Sequence, residues 1–200
     1  MASKLYYYHG TMGSSKTLRL LTTAHNFEER GIAFLVLKPA MDNREASNIV
    51  ASRVGLQREC IPIEQDQDIY QSIQDTVNVL RANLDTLEWI LVDECQFLSV
   101  EQIDQLAKVV DNLNINVMCF GLRTDFRTKS FPASRRLFEL ADNIEEIKSR
   151  CACGRKTIVN VRMNAEGQII TDGPQIMVGG DETYQSLCRK CYHRLLNQQK

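Results

Sequence analysis

These 200 residues are expected to fold as an α/β protein, a mostly parallel sheet with helices on both faces, followed by a smaller β-rich unit. Three observations lead there. Apolar runs of strand length alternate with segments whose apolar residues recur at helical spacing. The first strand-like run ends in a turn of small residues that opens directly into a helix. From Cys151 onward the chain changes to short β-like runs and turns, flanked by two close cysteine pairs.

Leu5 to His9 has strand character, and Tyr6, Tyr7 and Tyr8 read as strand residues. The turn Gly10 to Ser15 leads into Lys16-Thr17, which open a helix with Leu20, Ala24 and Phe27 on its apolar face and Gly31 as its stop. Ile32 to Lys38 is nearly continuous in apolar residues, as a strand covered on both faces should be, and Pro39 ends it. Ala40 to Asp68 is polar and irregular, with Asp42, Arg44 and Arg53 along it, and is expected to be a mobile loop serving as a lid or phosphate clamp. Helical spacing returns at Ile73, Val77, Leu80 and Leu84, and the apolar strand Trp89 to Val92 runs into Asp93-Glu94.

Ser99 with Gln102 makes a capping box for a helix whose apolar face is Ile103, Leu106, Val110 and Leu113. Val117 to Phe120 is a further buried strand leading into Gly121-Leu122. A helix from about Ala133 to Leu140 and a strand from Ile144 to Lys148 complete the sheet. Beyond it, Thr157 to Arg162 and Gln168 to Ile170 are β-like, with turn residues at Asn164 to Gly167 and Asp172 to Pro174. Thr183 to Gln198 reads as a terminal helix. The boundary falls near Lys148 to Arg150, giving a nucleotide-binding unit over 1–149 and a metal-binding one over 150–200.

Charge narrows the partners. With 24 Lys+Arg against 25 Asp+Glu the net charge is -1, so neither nucleic acid nor an acidic membrane is expected, and a small substrate is. Met1 to Lys4 run straight into the first strand without a signal peptide, and no apolar run approaches a membrane span, so the expected location is cytoplasmic. Thiols stay reduced there, and the seven cysteines need an explanation other than disulfides.

The turn Gly10, Thr11, Met12, Gly13, Ser14, Ser15, followed by Lys16 and Thr17, reads as a phosphate-binding loop. Unpaired backbone N–H groups and the positive end of the helix dipole converge where such a turn wraps an anion. Lys16 adds a point charge for the β- and γ-phosphates, and the Thr17 hydroxyl is placed to hold Mg²⁺. Ser15 stands where this loop type has its second glycine, so it must either accept a positive φ or follow another path.

Asp93-Glu94 lies just past the end of an apolar strand, where a parallel α/β sheet places its chemistry. Asp93 can hold the Mg²⁺ that Thr17 also touches, and Glu94 is a candidate general base. Cys151-x-Cys153 and Cys188-x-x-Cys191 can hold a tetrahedral structural Zn²⁺, a closed site with no open position for substrate. Cys60, Cys95 and Cys119 read as buried bystanders. His9, His25 and His193 are scattered, and His9 reads as a packed residue.

G-T-M-G-S-S-K-T, D-E-C-Q-F at Asp93 to Phe97, G-L-R-T-D-F-R at Gly121 to Arg127, and G-G-D-E-T-Y-Q-S-L-C-R-K-C-Y at Gly179 to Tyr192 closely resemble the type II, cellular-type thymidine kinases, over essentially the whole chain. The second and third have a bacterial form. The resemblance implies a RecA-like P-loop kinase that moves the γ-phosphate of ATP to the 5′-hydroxyl of thymidine. It also implies a homotetramer and feedback by dTTP. By position it gives Lys16 and the loop from Gly10 to Ser15 to the donor phosphates, Thr17 and Asp93 to Mg²⁺, and Glu94 to the proton of the 5′-hydroxyl. Met12, Phe97, Leu122 and Phe126 match thymidine-pocket positions, and Tyr184 matches a tyrosine near the sugar. Arg44, with Asp42, matches a pair near the phosphates. Gln175, Ile176, Met177, Val178 and Gly179 match the lasso loop, which closes over the base through main-chain groups. Ser15, Arg123 (an Asp in animal members) and the short CxC pair depart from the family pattern.

Two other classes use parts of this set. A helicase-like motor also has a phosphate loop and a D-E-x-x box, but needs a second lobe and a basic track that this chain lacks. A zinc-ribbon binding module would leave the loop and Asp93-Glu94 without purpose.

Overall fold

The computed structural model describes residues 2–42, 46–82, 86–175 and 184–199. In chain order its elements are β1 (Leu5–Gly10), α1 (Lys16–Glu29), β2 (Phe34–Pro39), β3 (Ile49–Ala51), β4 (Gln57–Glu59), β5 (Ile61–Ile63), α2 (Ile69–Ala82) and β6 (Trp89–Val92). A 3-10 turn over Cys95–Phe97 follows, then α3 (Val100–Leu113), β7 (Asn116–Leu122), α4 (Pro132–Leu140) and β8 (Asn143–Glu146). The remainder is β9 (Val159–Met163), β10 (Ile169–Ile170), β11 (Tyr184–Leu187) and α5 (Arg189–Gln198).

Six strands form the main sheet in the order β5-β2-β6-β7-β1-β8, and every neighbouring pair is parallel. Strand alternation divides their side chains between two cores. Tyr8, Leu91 and Phe120 point to the face covered by Leu20, Leu21 and Ala24 of α1. Tyr7, Ile90, Val92, Val117 and Cys119 point to the other, where α2, α3 and α4 supply Ile73, Ile103, Leu106 and Leu137. Helices on both faces leave the central strands β2, β6 and β7 little polar side, which is why they read as nearly continuous apolar runs, whereas the edge strand β8 is polar and exposed.

The helix starts follow local chemistry. Ser99 Oγ accepts from the Gln102 N–H and Gln102 Oε1 accepts from the Ser99 N–H, each at 3.1 Å, so the expected capping box opens α3. Pro132 opens α4, where a missing N–H costs nothing.

Two expectations are corrected. Among its described residues, the stretch 40–68 is not an irregular loop: β3 and β4 pair as an antiparallel hairpin, and β5 joins the edge of the main sheet beside β2. Strands of three residues are too short to show a period, and Pro62 is tolerated because β5 is an edge strand. The segment expected as one terminal helix over 183–198 begins as β11, which pairs antiparallel with β9, and only α5 is helical. Tertiary pairing overrides helical spacing there.

The sheet β10-β9-β11 has its own core, in which Val159, Val161 and Leu187 pack with Cys151, Cys188 and Cys191. His9 is buried, with its ring 5.1 Å from that of Phe138, and burial lowers its pKa. Cys60, Cys95 and Cys119 are buried, as expected.

Gly121 of β7 faces the turn after β6 at close range. A Cβ there would lie 2.5 Å from Cys95 Sγ and 2.7 Å from Gln96 Oε1. Gly121→Ala should therefore destabilise the protein by about 1–3 kcal/mol, read as a lower urea midpoint. An unchanged midpoint would mean that the turn moves aside freely.

Candidate active site

The sheet order brings the loop and the acid pair to one edge. Register pairs Gly10 with Leu122 and Val92 with Cys119, so the C-terminal ends of β1, β7 and β6 lie side by side, with β7 in the middle. Thr17 Oγ1, in the first turn of α1, donates to Asp93 Oδ2 at 3.0 Å. Two residues 76 positions apart in sequence thus meet across one strand.

Between Gly10 and Lys16 the chain turns sharply. Gly13 has φ 71° and Ser15 φ 64°, so serine accepts the left-handed conformation and the loop keeps the usual path. Gly10 is required by contact: a Cβ there would lie 2.3 Å from Ser14 Oγ. Ser14 Oγ is buried, with no hydrogen-bond partner among the described residues. Lys16 is buried, and its Nζ donates to Thr11 O at 2.9 Å, curling the side chain back over the loop.

A cavity of about 260 Å³ opens here, lined by Met12, Lys16, Thr17, Asp93, Glu94 and Leu122. Its far wall is the β3–β4 hairpin, with Arg53, together with Lys38 and Asp42 from the end of β2. A Cβ on Gly13 would sit 3.7 Å from an Arg53 guanidinium nitrogen, which places that cation over the loop. Lys38 is almost wholly buried; its Nζ donates to Ile49 O at 3.0 Å and lies 3.8 Å from Asp42 Oδ2, tying the hairpin to the sheet. Sequence reasoning passed over Lys38, although a lysine at the end of an apolar strand with Asp at i+4 is a usable signal.

Asp93 is a strained charge. Burial and the neighbouring Glu94 carboxylate push its pKa up to about 7, against the pull of Thr17. A hard oxygen-binding cation is the group that would hold it ionised, and Asp93 with the Thr17 hydroxyl suits Mg²⁺. Glu94 adopts a left-handed φ of 48°. Its carboxylate accepts from Gln96 Nε2, while Gln96 Oε1 accepts from the Leu122 N–H at 2.9 Å. Gln96, also passed over in the sequence, aims Glu94.

The other residues expected at an acceptor site lie outside this cavity's lining. Phe97 packs edge-on to Phe131, and Phe126 is buried under the Arg162 guanidinium, 5.1 Å away. Gln175 donates through its side chain to Asp125 Oδ2 at 3.1 Å, and Tyr184 pairs with Arg162 across β11 and β9. Arg44, Ile176, Met177, Val178 and Gly179 fall outside the described residues.

The four cysteines converge. Sγ atoms of Cys151, Cys153, Cys188 and Cys191 all lie within 4.8 Å of one another, so the short CxC pair contributes both its sulfurs. Tetrahedral zinc with bonds of about 2.3 Å needs sulfurs about 3.8 Å apart, which this cluster can meet. Main-chain N–H groups of Cys153 and Cys188 pull the Cys151 thiol down to about 6, while hydrogen bonding with the Cys153 and Cys188 thiols pushes Cys191 up to about 12. Sulfurs this close cannot all ionise without a cation among them.

A family model described as thymidine kinase matches residues 3–192. A thymidine kinase of Xanthomonas axonopodis pv. citri is 43% identical over 194 residues, covering 97% of this chain and 91% of its own. One from Streptococcus agalactiae serotype Ia is 42% identical over 191 residues, covering 95% of this chain and 97% of its own. Among solved structures, Pif1 helicase from Candida albicans aligns at 12% identity with a TM-score of 0.44, over 74% of this chain and 36% of its own, too slight a likeness to bear on function.

The pKa of Asp93 has a testable sign. Its folded value of about 7 exceeds the ordinary 3.8, so between those pH values the folded protein keeps a proton that the unfolded chain releases. Stability from this group is full below the ordinary value and is lost as pH rises toward 7. In magnesium-free buffer Asp93→Asn should melt above the wild type at pH 8, by on the order of a few kcal/mol, with the gap closing toward pH 4. A gap independent of pH would show that Asp93 ionises as in water.

Proposed function

Because the chain belongs to the thymidine kinase family, we propose that it transfers the γ-phosphoryl group of ATP to the 5′-hydroxyl of thymidine, giving dTMP and ADP. The observation that best supports this is the Thr17–Asp93 contact beside Lys16 and Glu94, all lining one cavity. Phosphoryl transfer asks a protein mainly to position and to neutralise charge, and this edge of the sheet is built for both.

Loop N–H groups and Lys16 hold the donor phosphates, with Arg53 of the hairpin and, by family position, Arg44 as further cations. Thr17 and Asp93 are the residues that would hold Mg²⁺, which supplies charge neutralisation on the phosphates when bound. Glu94, held by Gln96, takes the proton of the attacking 5′-hydroxyl. Met12, Leu122, Phe97 and Phe126 provide apolar faces for the base, and Tyr184 with 175–179 closes the acceptor site. Cys151, Cys153, Cys188 and Cys191 would hold one Zn²⁺ that fixes the ends of the 150–200 unit. Family membership also leads us to propose a homotetramer, dTTP as a feedback inhibitor and a cytoplasmic location. Among the described residues, no helix is long and apolar enough to cross a membrane.

Turnover assays separate the kinase from a motor. ATP with thymidine should yield dTMP, and single-stranded DNA should not stimulate ATP hydrolysis; the opposite pattern would refute the proposal. Glu94→Gln should keep ATP binding but lower kcat by about 10²–10⁴-fold, because the amide cannot accept the proton. A wild-type kcat would remove Glu94 from the chemistry. Elemental analysis of tag-free protein should find one zinc per chain, and Cys188→Ser should lower both zinc content and Tm. Metal-free protein with four titrating thiols would defeat the zinc assignment.

A further inference from the structure

We infer that Asn160 and Ser186 are positioning residues: together they grip the main chain of Met12 in the phosphate loop and tie it to the loop after β7. The inference rests on the kinase reading for what the grip serves, and on the structure for the grip itself.

Met12 sits just before the left-handed turn at Gly13. Its N–H donates to Asn160 Oδ1 at 2.8 Å, and its carbonyl accepts from Ser186 Oγ at 2.7 Å. Both polar groups of one loop residue are therefore held from outside the loop. Asn160 lies on β9 and Ser186 on β11, where they are register partners. Cross-strand partners project on the same face, so the antiparallel pairing itself delivers the acceptor and the donor to one peptide.

Asn160 has a second arm. Its Nδ2 donates to Thr124 O at 3.0 Å. Only this orientation of the amide satisfies both neighbours, since an N–H and a carbonyl cannot exchange roles. Thr124 lies between Leu122 and Phe126, both proposed for the acceptor site. One side chain, itself only 3% exposed, thus links the donor loop to an acceptor-site loop. Thr11, beside Met12, is held in the same manner: its Oγ1 lies 2.8 Å from Thr157 Oγ1 and 2.9 Å from Ser149 Oγ.

A buried hydrogen-bonded network of this kind favours a single arrangement, and each member left unpaired is costly. The N–H groups after Met12 aim wherever that peptide is anchored. Misplacement of a reacting group by about 1 Å can cost roughly 100-fold in rate. Neither residue could be found from the sequence, because nothing in an isolated Asn on a short strand marks it as a partner of residue 12.

Three variants test the grip. Asn160→Leu removes both arms while keeping the number and branching of side-chain heavy atoms; it should raise the Kd for ATP, measured by calorimetry, and lower kcat by roughly 10- to 100-fold, with zinc content unchanged. Ser186→Ala should act in the same direction but less. The double variant should lose less than the product of the two, because both side chains hold one peptide. Asn160→Asp keeps the acceptor for Met12, loses the donor to Thr124 and sets a carboxylate beside the phosphate loop, so at pH 8 its KM for thymidine should rise along with its Kd for ATP. Wild-type ATP affinity and kcat in both Asn160→Leu and Ser186→Ala, whatever their Tm, would overturn the inference. Failure of the wild type to phosphorylate thymidine would instead remove the kinase reading, while weaker ATP binding by the variants would still support the grip.

Discussion

A carboxylate taken out of water sets the terms at the working edge of this sheet. Asp93 is carried inside by β6, and burial beside Glu94 leaves it half protonated near neutrality unless positive charge or hydrogen-bond donors come to it. The surroundings answer that need. Thr17 donates to it from α1, Lys16 is curled into the same loop, and the buried Lys38–Asp42 pair closes the cavity from β2. Remove the parallel order that sets β7 between β1 and β6, and these groups have no common meeting point.

Three apolar cores surround that edge and hold it from different sides. The two faces of the main sheet fix where β1, β6 and β7 end, and the third core holds β9, β10 and β11 with the sulfurs of the cysteine cluster. The polar residues of that small sheet then reach back to the loop through Asn160, Ser186 and Thr157. A metal at the cysteines, which precede β9 and follow β11, would act by keeping those two of the three strands in register.

The hairpin of β3 and β4 gives the cavity its far wall, yet in sequence it is polar and without pattern. Its strands are three residues each, with Val50 buried and only Gln57 and Glu59 exposed, so hydrophobic periodicity has too little length to report. What ties it to the rest is a hydrogen bond from buried Lys38 to the Ile49 carbonyl, the packing of Val50 in the α1-side core and the Arg58–Glu28 pair to α1. Those contacts make a wall of what composition alone would call a loop.

The α/β alternation, the phosphate loop, the acid pair after Val92 and the two cysteine pairs are legible in the chain alone, because each is a local signal: a period, a turn, a short spacing. Even the capping box at Ser99 was legible from three residues of separation. Which residues meet across long separations is set by the folded arrangement. Whether Ser15 takes a positive φ, that Tyr184–Leu187 pairs with β9 instead of continuing a helix, and that Asn160 bonds to Met12 are settled by contacts between distant segments. Such contacts leave no periodic trace in the chain, since a hydrogen bond over 148 positions constrains two residues and nothing between them.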